Sequence, residues 1–166
     1  MASGDRLGFW DATNNHPPSS GFAQYDTRNG HPILRFDSTV VEDAIFSGVM
    51  PPWYGGGSVK VRLFVGFDSA TSGASRWMTD FEKTENAVLD VDADSFSGTF
   101  QNNGLTAPAT AGIFTWLEIT HTSSQIDGVV VGDPYRLKVR HDATGTTGTD
   151  DATGDHEILY VELVEV

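Results

Sequence analysis

The chain has 166 residues, the length of one ordinary domain and enough to bury a core without staples, and it contains no cysteine, which excludes a disulfide framework and thiolate metal sites. Ten Lys and Arg against 23 Asp and Glu leave a net charge of −13, a surface that repels phosphate backbones and argues against nucleic acid as a partner. No apolar run reaches the roughly 20 residues of a membrane span, and the opening Met1-Ala2-Ser3-Gly4-Asp5 lacks the basic-then-apolar order of a signal peptide, so the expectation is a soluble chain with no membrane contact.

Residues 1–30 carry Asn14, Asn15, Pro17, Pro18, Ser19, Ser20 and Gly21, with few aromatic residues, and read as an extended N-terminal arm. Such a segment buries too little to order itself, so Phe9 and Trp10 are candidate partner-binding residues, exposed or docked on a neighbouring subunit. From His31 the apolar period is two. Val59, Val61, Leu63, Val65 and Phe67 share one face of a strand whose other face holds Lys60 and Arg62, and Arg76–Glu82 and Tyr135–Arg140 alternate in the same way. Further strands are expected at Pro32–Phe36, Ala44–Met50, Phe96–Phe100, Phe114–His121 and Glu157–Glu165, with a helical turn allowed only near Thr39 and Glu42. Gly/Pro-rich punctuation separates these runs. Residues 31–166 therefore read as an all-β, jelly-roll-like antiparallel sandwich of about eight strands. Six of the ten cations (Lys60, Arg62, Arg76, Arg136, Lys138, Arg140) fall on polar strand faces, where Asp80, Glu82, Glu118, Glu162 and Glu165 are their expected partners.

Chemistry is sparsely signalled. No G-x-S-x-G elbow and no P-loop are present, and His16, His31, His121, His141 and His156 are scattered, so no catalytic residue is assigned and the expectation is a binding protein rather than an enzyme. Carboxylates are abundant, but no pair has a defined separation. Asp90, Asp92 and Asp94 copy the opening of a calcium loop and are the metal candidates, although Ser95 and Gln101 stand where that loop needs Gly and Glu; otherwise no cofactor is expected. Asp150, Asp151 and Asp155 form a second acidic run with the same two readings, a calcium loop or an exposed turn. Trp53 and Tyr54, in a Pro/Gly turn, are the aromatic pair placed to meet a partner or a sugar ring, which makes a glycan or receptor the alternative ligand.

The segments Phe36–Val65, Ala70–Lys83, Leu89–Phe96 and Gly132–Val166, with their Tyr-Gly-Gly turn and closing Gly-Asp, Arg-His-Asp-Ala and Val-Glu series, resemble a family of small tailed-bacteriophage virion proteins. The resemblance implies a structural role as a capsid decoration or cement protein, trimeric, on the outer surface of the capsid, with the major capsid protein as partner. The alternative reading is a carbohydrate- or receptor-binding jelly-roll module.

Overall fold

The computed structural model describes residues 4–85 and 87–166 and has the expected architecture, a jelly-roll-like sandwich of antiparallel sheets. Its strands are β1 (Arg6–Asp11), β2 (Gln24–Arg28), β3 (His31–Phe36), β4 (Glu42–Val49), β5 (Val59–Phe67), β6 (Ala74–Lys83), β7 (Gln101–Thr106), β8 (Thr115–His121), β9 (Pro134–His141) and β10 (His156–Glu165). Sheet A runs β2-β3-β10-β5-β8, with β1 also on β10, and sheet B runs β4-β9-β6-β7.

Period-two alternation builds the core. Val59, Val61, Leu63, Val65 and Phe67 of β5 are buried against Phe46 of β4, Trp77 and Phe81 of β6, and Leu137 and Val139 of β9. The Trp77 ring meets Phe36 edge-on, with centroids 4.9 Å apart, which ties β6 to β3 across the two layers.

β10 organises sheet A. One edge pairs with β5 along its length, and the other is shared, His156–Ile158 with β3 and Tyr160–Val164 with β1. A bulge at Leu159 breaks the register between Ile158 and Tyr160. His156 and Ile158 point inward before it and Val161 and Leu163 after it, so Tyr160 and Glu162 are turned to the outer face.

Three sequence expectations need correction. Residues 4–30 are no free arm, Met1–Ser3 lying outside the described residues: β1 and β2 belong to sheet A, and the 30/31 boundary falls inside a β-hairpin. Asn29 and Gly30, with φ of 48° and 80°, form its two-residue turn, the backbone handedness a tight hairpin demands. Residues 96–100 form no strand, being tied to β6 through Ser97 and Gly98, and the strand lies one step later, at β7. Phe96 and Phe100 instead lie over the cations of β9, with Lys138 Nζ 4.0 Å from the Phe96 centroid and Arg140 Cζ 4.9 Å from that of Phe100. Thr39 and Glu42 cap no helix; Glu42 begins β4, and its carboxylate accepts the Asp37 N–H.

Three of the six strand-face cations meet their expected partners: Lys60 and Arg62 with Glu118, Arg62 also with Glu162, and Arg136 with Glu82. Lys138 and Arg140 turn instead to Asp43 of β4, and Arg76 to the Thr147 carbonyl. Asp80 is buried and accepts hydrogen bonds from Phe81, Ser97 and Gly98, while Glu165 accepts from Gly55.

Candidate functional site

The two outer faces differ in kind. On sheet B the cations of β9 are covered by Phe96 and Phe100, whereas sheet A turns aromatic rings outward from adjacent strands. On β5 the residues facing away from the core are Lys60, Arg62, Phe64 and Gly66. Phe64 stands opposite Tyr160 of β10 on one side and Trp116 of β8 on the other. Its ring lies 6.3 Å from Tyr160, nearly parallel at 15°, and 4.7 Å from Trp116. Phe9 of β1 extends the row, 5.3 Å from Tyr160, and Phe114 flanks it, 5.6 Å from Phe64. Phe114 can lie there because β5 has Gly66 beneath it; a Cβ at that position would stand 2.8 Å from the ring. Phe9 is 46% exposed, and Phe64, Phe114, Trp116 and Tyr160 keep part of their surface in solvent.

A charged row runs beside the aromatic one, two residues further along the strands. Arg62 is opposite both Glu162 and Glu118. Its guanidinium donates to Glu162 at 2.6 Å, lies 3.3 Å from Glu118 and rests 4.7 Å over the Trp116 ring. Arg6 donates to the other oxygen of Glu162 at 2.6 Å and covers Phe9, and Lys60 reaches Glu118 at 3.0 Å. Glu162 is buried between its two arginines, while Glu118, Lys60 and Arg6 keep polar atoms in water. Rings, carboxylates and cations thus share one surface with fixed geometry, each held by its neighbour across the sheet. Beyond Phe114, a cavity of about 330 Å³ is lined by residues that include Arg28, His31, Ile33 and Leu159.

Three histidines lie deep in the sandwich. His121 accepts the Thr79 hydroxyl proton at Nε2, 2.7 Å away, and offers Nδ1 to the Gln125 carbonyl; burial pushes its pKa down to about 4. His141 donates Nδ1–H to the Asp37 carbonyl at 3.1 Å. Its Nε2 lies 2.9 Å from Asp150 Oδ2 and 2.7 Å from His156 Nδ1. Burial, and then the neighbouring His141, push His156 down to about 4. Among the described residues, His141, Asp150 and His156 are the one group of three or more His and acidic side chains gathered closely enough to hold a metal ion.

The residues singled out in the sequence fare unequally. Phe9 stands in the aromatic row, but its neighbour Trp10 is buried between the sheets, packed on Phe46 and Tyr135 and donating Nε1–H to the Ser47 carbonyl, so it meets no partner. Trp53 is half exposed and donates to the Arg6 carbonyl at the start of β1. Tyr54 is buried, its hydroxyl bonded to the Gly57 carbonyl, and is no platform. Asp90, Asp92 and Asp94 are not gathered into a chelating group: Asp90 accepts the Asp92 N–H and Asp94 the Ser95 N–H, as in an ordinary acidic turn. In the second acidic run, Asp151 accepts the Ala74 N–H and Asp155 pairs with Arg35. Phe64, Trp116 and Tyr160 are the rings the sequence reading did not assemble. Phe64 was detectable as an aromatic residue on the polar side of the clearest alternation, but Tyr160 was hidden by the Leu159 bulge.

No family model matches the sequence, and no curated protein matches it. Solved structures do resemble the fold. The chain is similar to the C-terminal family 6 carbohydrate-binding module of a laminarinase from Zobellia galactanivorans, at 12% identity, a TM-score of 0.52, and coverage of 96% of this chain and 99% of that one. It is also similar to part of an arabinose-bound family 51 α-L-arabinofuranosidase, at 14% identity, a TM-score of 0.50, and coverage of 92% of this chain and 23% of that one. A family GH115 4-O-methyl-α-glucuronidase with specificity for decorated arabinogalactans matches at 11% identity and a TM-score of 0.50, over 99% of this chain and 18% of its own. The chain thus spans the whole of the binding module and less than a quarter of either enzyme; at these identities the likeness is one of fold.

Proposed function

We propose that this protein binds carbohydrate, laying a saccharide along the outer face of sheet A. The observation that carries the reading is the pair of parallel rows, Phe9-Tyr160-Phe64-Trp116 beside Arg6-Glu162-Arg62-Glu118. A pyranose ring has an apolar C–H face and a rim of hydroxyls. The first row offers flat apolar surface, and the second offers carboxylate oxygens and guanidinium N–H groups that hydroxyls can both donate to and accept from. The rings are already fixed by cross-strand packing, so little side-chain entropy is lost on binding. The fold's likeness to a carbohydrate-binding module supports the same reading.

The test is affinity electrophoresis and calorimetry against laminarin, arabinan and arabinogalactan. We expect retention on at least one of them, weakened about tenfold or more by Trp116→Ala and abolished by Trp116→Ala with Tyr160→Ala, while the far-ultraviolet spectrum is unchanged. Migration unaffected by every polysaccharide would overturn the reading.

A second reading, a trimeric capsid decoration protein meeting the major capsid protein, rests on the segment resemblance. Exposed aromatic rings beside arginine also make the centre of a protein interface, so the same face would serve it. It predicts a trimer in sedimentation and capsid binding that the Trp116→Ala variant loses.

A further inference from the structure

We propose that His141, Asp150 and His156 form a buried binding site for a divalent ion of the zinc class. The site is separate from the sheet A face, and the inference does not rest on the carbohydrate reading.

The argument begins with hydrogen-bond accounting. His141 Nδ1 faces a carbonyl oxygen and must carry a proton, so in the neutral ring Nε2 is a bare lone pair. That lone pair is the shared vertex of two short contacts, with a carboxylate oxygen at 2.9 Å and with the His156 ring nitrogen at 2.7 Å. One proton at this vertex can point along only one of the two contacts. A cation between the three atoms engages both facing ring nitrogens and the carboxylate at once, while His156 Nε2 stays buried without a hydrogen-bond partner.

The surroundings fit a metal. The Nδ1–H bond from His141 to the Asp37 carbonyl is the outer contact that fixes the tautomer and aims the other nitrogen at an ion. Asp150 is held in place independently, because its Oδ2 also accepts the Arg76 N–H at 2.7 Å. Its loop is fastened by Asp142, which accepts the hydroxyls of Thr144, Thr146 and Thr147. The side chains of His141 and Asp150 are 0% and 1% exposed, and His156 is fully buried, so the carboxylate charge sits in a dry interior that demands an opposite charge. Two imidazoles and one carboxylate are a donor set for zinc rather than for calcium or magnesium, which prefer oxygen. A polar cavity of about 190 Å³ is lined by neighbours of the two histidines: Asp37, whose carbonyl His141 bonds, Glu42, which is paired with His141 in the β4–β9 register, and Asp155, which precedes His156. Three protein ligands leave the fourth position of a tetrahedral shell open.

The purified chain should be stripped with EDTA and titrated with zinc alone, by calorimetry and by elemental analysis after gel filtration. We expect one zinc per chain. Asp150→Asn, which keeps an oxygen for the Arg76 N–H, should weaken uptake by a factor of about 10 to 100, whereas His16→Gln with His31→Gln should leave it unchanged. Since a variant of a buried residue can fail to fold, the wild-type protein supplies an independent readout. Long-range nitrogen–proton spectra should show His141 protonated at Nδ1 and His156 at Nε2, with zinc shifting His141 Nε2 and His156 Nδ1. Absence of stoichiometric zinc, loss of uptake in the His16/His31 variant, or histidine spectra unmoved by saturating zinc would each overturn the proposal.

Discussion

At the scale of single residues, adjacent positions in the strands have opposite fates. Phe9 faces solvent beside Tyr160, and Trp10 is sealed between the sheets; their shared aromatic character in the sequence concealed that division. Replacing Trp10 by Ala should cost about 3 to 5 kcal/mol in urea unfolding, whereas Phe9→Ala should change stability by well under 1 kcal/mol. His121 contributes to the acid response in the same local way. Its pKa is about 4 in the fold against about 6.5 in the unfolded chain, so the unfolded state takes up the proton first. Its contribution is complete above about pH 6.5, falls away between 6.5 and 4, and changes no further below 4. A His121→Gln variant, which cannot take up that proton, should show a flatter melting temperature than the wild type across this window in a pH series.

Whole elements were legible where one face is buried and the other wet. β5 stood out because five inward apolar residues recur at period two, the first of them separated by Lys60 and Arg62, and β9 because Tyr135, Leu137 and Val139 alternate with three cations. Two devices escaped that reading. In residues 96–100 phenylalanines recur with strand spacing, but their packing surface is the cations of another strand, a long-range fact that local periodicity does not encode. The Leu159 bulge changes which side of β10 faces out, so a strict alternation carried through it assigns Tyr160 to the wrong face. The β2–β3 hairpin did carry a local sign, Asn29-Gly30, which the polar composition around it overshadowed. Gly66 offers a test at this scale. Gly66→Ala should push the Phe114 ring off β5 and, under the proposed function, weaken glycan retention severalfold, with a melting temperature close to the wild type; calorimetry and a thermal melt on one sample check both.

For the molecule as a whole, the position of the first strand decides how the chain tolerates cutting. Among the described residues β1 pairs only with β10, and Trp10 fills the space between the sheets, so removing residues 4–30 strips β2 as well and opens one edge of β10. We expect that truncation to abolish the cooperative urea transition rather than yield a shortened, folded domain, as judged by circular dichroism.

The place of β10 has a further outcome, in the order of manufacture. A ribosome releases the domain's final strand last, yet β1 and β5 must flank it and β3 must join it. Until then β1 lacks the one mate it has among the described residues, and a stalled or prematurely terminated product would display several unmatched strand edges together. Nascent chains of this domain should therefore draw chaperones throughout translation and be released from them only when residues 156–165 emerge.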